Sequence, residues 1–377
     1  MKRVLITGAS GLVGSRLCEV MHLGELAAPR AFIHSTGSAA RIARYPLDFA
    51  IGDLCSLETV RKAMDGCDTV VHLARGSSNV MTRGLENVLS VAVEQKVRRL
   101  VHVSSVAVYG NNPPPESAHE NAAANPGDNA YGRSKLTQDE RVLHYTHKHG
   151  LPAVILRPPN ITGPFAAFTL NLIHRLRART LPLMDGGHNP CNLVYVDNLV
   201  QAILLSLVRD EAVGETFFIT DPEVVTWEQC LRDHARLVGA ELWSMESQDL
   251  PPKPIKRMMR DSVRAIPGAI FSKDFRSALR RIPLLEAAEA SIFQRFESLS
   301  SEKQDELRLR LRGPEAPVVR TNGRPKVDPA DGLIAGQLRK VAHSCEKAQR
   351  LLGYSAPVSY SEGMDLTAKW LKYARML

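Results

Sequence analysis

Tyr131 and Lys135 lie four residues apart in the segment Ala130-Tyr-Gly-Arg-Ser-Lys135. On a helix that spacing puts a phenol and an ammonium on one face. The lysine's charge there favours the phenolate and draws the tyrosine pKa down from about 10 toward working pH. A tyrosine tuned in this way exchanges a proton with a secondary alcohol, which is half of a hydride transfer. Alone, the pair matches many solvated helices. Its weight depends on whether the chain also builds a seat for a hydride carrier.

A seat is legible at the N-terminus. The apolar run Val4–Thr7 leads into Gly8-Ala-Ser10-Gly11-Leu12-Val13-Gly14 at the mouth of a helix. Glycines let the backbone turn tightly and approach a pyrophosphate, whose charge is met by the helix N-terminal amides. The spacing is Gly-x-x-Gly-x-x-Gly rather than the commoner Gly-x-Gly-x-x-Gly. Farther along, Gly52-Asp53-Leu54 follows a third strand, where a carboxylate can accept from an adenine amino group. His72-Leu73-Ala74-Arg75 ends a fourth strand, beside the crevice expected at the carboxyl ends of a doubly wound sheet. Ser104-Ser105-Val-Ala-Val-Tyr109-Gly ends a fifth and brings a hydroxyl ahead of the tyrosine helix.

The elements that must carry these groups alternate between strand and helix. Strands are expected at Ala31–His34, Thr69–Ala74, Leu100–Ser104 and Val154–Arg157, with helices at Gly11–His22, Leu57–Met64 and Asn87–Gln95. The fold class is therefore α/β: a Rossmann-type doubly wound parallel sheet with a smaller, mostly helical substrate-binding domain. Residues 1–160 read as the dinucleotide-binding domain, with segments near 193–220 returning to it. Residues 161–377 read as the substrate-binding part and include a basic helical insertion at about 251–330.

The chain has 377 residues, 44% of them hydrophobic and 23% charged, as in an ordinary globular enzyme. Strand-like residues follow directly on Met1, and the six cysteines are scattered without a Cys-x-x-Cys pair. These features predict a cytoplasmic protein with no leader, structural zinc or disulfide framework. The formal charge of +8 is concentrated between Lys253 and Arg281, with no nucleic-acid-binding signature beside it. That segment has the stripe of a basic amphipathic helix, which packs on its own domain or rests on an anionic membrane surface. His144, His147 and His149 end the tyrosine helix without an acidic or cysteine ligand nearby, so no metal site is expected.

In this order, the glycine loop, Asp53, Ser105 and the Tyr-x-x-x-Lys pair resemble an extended short-chain dehydrogenase/reductase of the NAD-dependent epimerase/dehydratase family. The likeness is specific over about residues 1–200. It implies that the loop from Gly8 to Gly14 holds the cofactor pyrophosphate, that Asp53 and Leu54 flank the adenine, and that Leu73, Ala74 and Arg75 line the cofactor. It implies a catalytic triad of Ser105, Tyr131 and Lys135, with Lys135 also bonding the nicotinamide ribose. Arg157-Pro158-Pro159-Asn160 resembles the segment beside nicotinamide and substrate. Tyr109 and Asn160 are then substrate-side candidates, and Tyr195-Val-Asp-Asn198 matches a family landmark.

Two departures bear on the chemistry. The second strand ends at Ile33-His34-Ser35-Thr36 with no carboxylate for a ribose 2′-hydroxyl, while Arg41 and Arg44 follow. That pattern leans toward NADP over NAD. Asn189-Pro-Cys-Asn192 lacks the arginine that nucleotide-sugar members carry there, and Asn198 is closer to hydroxysteroid-type relatives. Three readings stand: an epimerase or dehydratase of a nucleotide-linked sugar, an NADP-dependent reductase of an apolar hydroxy/keto substrate, and a silent cofactor-binding scaffold. A small-molecule substrate is expected in the first two, no nucleic acid in any, and a homodimer is open through the tyrosine helix.

Overall fold

The computed structural model describes residues 3–251, 327 and 331–377. The chain forms two compact units, Met1–Asp249 with Asp331–Leu377, and Leu250–Ala330. The basic segment from Lys253 to Arg281 lies outside the described residues.

The first unit contains strands β1 (Arg3–Thr7), β2 (Ala28–Ile33), β3 (Asp48–Ile51), β4 (Thr69–His72), β5 (Arg99–Val103), β6 (Ala153–Arg157), β7 (Asn160–Thr162), β8 (Leu183–Met184), β9 (Leu193–Tyr195), β10 (Thr216–Phe218) and β11 (Ser244–Met245). Its helices are α1 (Leu12–Leu23), α2 (Leu57–Met64), α3 (Leu85–Glu94), α4 (Ala130–His149), α5 (Ala167–Arg177), α6 (Val196–Val208), α7 (Trp227–Val238), α8 (Gly332–Gln337), α9 (Glu346–Leu352) and α10 (Tyr360–Tyr373). Seven strands form one sheet in the order β10-β6-β5-β4-β1-β2-β3, every neighbouring pair parallel. This is the doubly wound sheet that alternating strands and helices predict. The order reverses between β1 and β4, so the crevice falls at their carboxyl ends.

The central strands read as unbroken apolar runs because both sheet faces are covered. One face packs on α1, α6 and α9, burying Leu17, Met21, Leu199 and Ile203. The other packs on α2, α3 and α4, burying Val60, Val88, Val142 and Tyr145. The two-stranded pairs β7–β9 and β8–β11 stand apart from the main sheet. Leu193–Val196 reads as a strand in the sequence and forms β9, whereas β7, β8 and β11, two or three residues long, are too short for periodicity to mark.

The Tyr195-Val-Asp-Asn198 landmark is a joint. Asp197, at the start of α6, accepts from Arg16 of α1 at 2.6 and 2.9 Å. Buried Asn198 donates to Asp221 (2.7 Å) and to the Val358 carbonyl (2.8 Å), and its own carbonyl accepts from the Val358 amide. No helix among the described residues is long and apolar enough to cross a membrane.

Candidate active site

Close backbone approach sets the site. Gly8 sits at φ +70, and a Cβ there would fall 2.8 Å from the Leu73 carbonyl carbon, so the loop after β1 lies against the end of β4. A Cβ on Gly14 would fall 2.3 Å from the Gly8 carbonyl oxygen. The first turn of α1 carries no acidic residue, and Gly11 at its cap makes no side-chain bond to it. Its amides are thus left for an anion, and the loop fits a dinucleotide pyrophosphate.

On the other side of the crevice, Asn129 caps α4 by accepting from the Gly132 amide at 2.9 Å. A Cβ on Gly132 would fall 2.1 Å from the Ala107 carbonyl oxygen. Only glycine lets the start of α4 seat on the turn Val106–Tyr109 that follows Ser105. Tyr131 and Ser105 meet as a result, and the serine hydroxyl acts to lower the pKa of the phenol. Gly132→Ala is expected to lift the tyrosine off the serine and cut turnover about a hundredfold while dinucleotide binding persists. Steady-state kinetics beside a cofactor titration checks this.

Lys135, Gln138 and Asp139 continue the same face of α4 into the protein. The Lys135 ammonium donates to the Val103 carbonyl (2.9 Å) and to Gln138 Oε1 (3.0 Å), and Gln138 in turn donates to the Met81 carbonyl (2.8 Å). One of the ammonium's three N–H donors is left for a ribose hydroxyl. Burial pulls Lys135 down to about 8, with Asp139 acting against that and Arg75 adding to it. Asp139, also buried, accepts from Arg157 Nε at 2.9 Å, and Arg157 Nη1 donates to the Tyr109 hydroxyl at 2.7 Å.

The phenol itself differs from the expectation. Burial raises the Tyr131 pKa above its ordinary value, and the cation opposing this is Arg75, not Lys135. The Arg75 guanidinium carbon lies 4.7 Å from the centre of the tyrosine ring. Beneath the site, His72 and His102 face each other across β4 and β5 with rings stacked 5.6 Å apart. His72 Nδ1 lies 2.9 Å from the Thr7 hydroxyl. Burial, then the Lys135 charge, pushes His72 down to about 3, so it stays neutral through the working range.

The remaining sequence candidates separate into two groups. On the adenosine side, Asp53 is exposed and closes a turn onto the Cys55 amide at 2.9 Å. The Leu54 carbonyl accepts from Asn87 at 2.8 Å. His34 and Ser35 are exposed at the end of β2. Arg44 pairs with Glu19 at 3.1 Å, and Arg41 lies over the Phe165 ring at 5.0 Å. Pro158 is buried, with its carbonyl accepting from the Val106 amide at 3.1 Å. Tyr109, expected to contact substrate, instead lies in the core at 2% exposure, packed on Phe218 and His343. Asn160 is half-buried on β7 and donates to the Asn192 carbonyl at 3.4 Å. No local sequence pattern joins His72 to His102 and Gln138. The signal was faint: two histidines ending adjacent strands, and one polar residue a turn past the lysine.

The sequence model of the NAD dependent epimerase/dehydratase family matches residues 4–219. The chain belongs to this family. Among curated relatives of this family member, a 4-hydroxy-2-methyl-3-oxo-4-farnesyl-3,4-dihydroquinoline-1-oxide ketoreductase of Stigmatella aurantiaca is 28% identical over 58% of this chain and 68% of that protein. A UDP-glucose 4-epimerase of Vibrio cholerae is 24% identical over 65% of this chain and 78% of that protein. Among solved structures, the UDP-glucose 4-epimerase of Thermotoga maritima with UDP-glucose superposes with a TM-score of 0.66, at 17% identity and 99% coverage of both chains. At that identity the superposition speaks for the fold, which this extended short-chain dehydrogenase-type enzyme shares.

Proposed function

We propose that this enzyme transfers hydride at a secondary alcohol or ketone of a nucleotide-linked sugar, as an epimerase or dehydratase. The observation that carries the proposal is the seating of Gly132 on the turn after Ser105, which brings Tyr131 to Ser105 one helical turn ahead of Lys135. A bound nicotinamide dinucleotide supplies the hydride acceptor and donor. Tyr131 takes the proton from the substrate hydroxyl and returns it to the carbonyl oxygen in the reverse sense. Ser105 holds that oxygen by hydrogen bonding as its charge changes. Lys135 holds a ribose hydroxyl with its remaining donor. The loop from Gly8 to Gly14 receives the pyrophosphate, and Asp53 with Leu54 the adenine.

The sugar rests on the family and on relatives such as the Vibrio cholerae UDP-glucose 4-epimerase. Net reduction of an apolar ketone is the second reading. It is favoured by the Stigmatella ketoreductase and by the stretch before β9, which offers no arginine to a diphosphate. There Asn189 donates to the Gln337 carbonyl and Asn192 to the Val341 carbonyl, at 2.8 and 2.9 Å, so both serve the fold. Incubation with UDP-, GDP- and dTDP-sugars and with apolar ketones, read by product analysis, separates the two. A converted sugar without net cofactor change supports the first reading, and stoichiometric oxidation of reduced cofactor by a ketone replaces it with the second.

For the dinucleotide we favour NADP, because β2 is followed by His34 and Ser35, with no carboxylate there to repel a 2′-phosphate. Arg44 is committed to Glu19, which leaves Arg41 as the basic residue to support a 2′-phosphate. NADPH is expected to bind more tightly than NADH in equilibrium titrations, and the opposite order replaces NADP with NAD. A cytoplasmic location and a homodimer through α4 complete the proposal. Fractionation and sedimentation test these in turn.

A further inference from the structure

We propose that Arg75 is the residue that stabilises ionised Tyr131, the part that the Tyr-x-x-x-Lys spacing assigns to Lys135. The inference rests on Tyr131 being the proton-transfer group and concerns what tunes it. Arg75 follows Ala74 just past the end of β4, and its guanidinium carbon lies 4.7 Å from the centre of the Tyr131 ring. It is exposed, and among the described residues no carboxylate pairs with it. A guanidinium over a phenol is held by the ring's negative face. Loss of the phenolic proton adds a full negative charge to that ring system, so the attraction grows as the proton leaves. Arg75 therefore favours the ionised ring over the neutral one.

Lys135 is poorly placed for the same work. Its ammonium is turned to the Val103 carbonyl and Gln138, and burial brings its pKa to about 8. In mildly alkaline solution it gives up part of its charge, whereas a guanidinium does not. Four influences bear on Tyr131 from the elements around it. Burial raises its pKa, Arg75 from the end of β4 lowers it, the Ser105 hydroxyl from the end of β5 lowers it, and Asp139 on α4 itself raises it. Among these Arg75 is the strongest counterweight to burial. Removing it shifts the phenol to higher pH, so the fraction of Tyr131 able to act as a base falls at any working pH.

The test needs no substrate. The full chain is labelled with difluorotyrosine, whose phenol ionises near neutrality, and titrated by fluorine NMR. The Tyr131 resonance is the one absent from Tyr131→Phe. Arg75→Gln is expected to move its titration upward by about one unit, the low end for an opposite charge at this range because the guanidinium is exposed. Arg75→Lys should recover most of the shift, and Lys135→Met should produce a smaller one. Raising the ionic strength of the wild type should move Tyr131 in the same direction, since an exposed charge is screened. An Arg75→Gln titration superimposable on the wild type overturns the proposal. So does a larger displacement from Lys135→Met than from Arg75→Gln. Undiminished turnover in Tyr131→Phe would instead overturn the proton-transfer role while leaving this titration as it is, so the two failures are distinguishable.

Discussion

Tyr131→Phe is expected to lower turnover by about 10²–10⁴-fold, the usual worth of a positioned general acid or base, while leaving cofactor affinity nearly unchanged. The change removes one oxygen and retains the ring, so Arg75 keeps a face to lie on and α4 keeps its seat on the turn after Ser105. Gly132 and Asn129, not the phenol oxygen, fix the start of the helix. The loss should therefore appear in the chemical step and not in folding or dinucleotide binding. Parallel measurement of kcat, cofactor dissociation and thermal unfolding on the same preparation checks all three. A drop in cofactor affinity as large as the drop in kcat would mean that Tyr131 holds the dinucleotide and does not move protons.

The second large effect is on stability. Arg157 on β6 and Asp139 on α4 are both buried, joined at 2.9 Å, and tied onward to the Tyr109 hydroxyl. Arg157→Met leaves the buried Asp139 carboxylate without the guanidinium bonded to it, which costs about 3–5 kcal/mol. Denaturant unfolding should show the midpoint falling by a corresponding amount. The double variant Arg157→Met with Asp139→Leu should recover much of the loss, because an apolar pair of similar volume replaces the bridge without an orphaned charge. The pH dependence has a definite sign. Burial already raises the Asp139 pKa, and Arg157 is the first influence opposing that. Without it the folded-state pKa climbs further above the unfolded one. A carboxyl raised in this way contributes stability that is present below its unfolded pKa and lost as pH rises through the folded one. The deficit of Arg157→Met should accordingly be smaller in mildly acidic buffer than in mildly alkaline buffer. Equal deficits at both would mean that Asp139 is not the group left behind.

What the sequence disclosed follows the range of the interactions concerned. The glycine loop, the tyrosine–lysine pair and the alternation of apolar runs are local patterns, and the parallel sheet they predict is the one found. The tuning of Tyr131 was not local. Arg75 reaches it only because β4 and β5 are neighbours in the sheet, which places the end of one beside the serine that ends the other. The same adjacency stacks His72 on His102. Helical spacing correctly puts Lys135 on the face of Tyr131, yet spacing says nothing of the Val103 carbonyl that claims its ammonium from 32 residues away. Tyr109 shows the opposite failure. A tyrosine beside a catalytic strand end reads as a substrate contact, but the Arg157 bond and the packing on Phe218 draw it inward. The apolar run at Leu193–Val196 does mark β9, but β7, β8 and β11 are below the length at which periodicity carries information.

The central claim is hydride transfer on a sugar with Tyr131 moving the proton. Its most direct test is product analysis of nucleotide-linked sugars incubated with wild type and with Tyr131→Phe, the nicotinamide absorbance being recorded in the same samples. The wild type is expected to yield an altered sugar with no net change in reduced cofactor, and the variant almost none. Sugar conversion by Tyr131→Phe at the wild-type rate would contradict it.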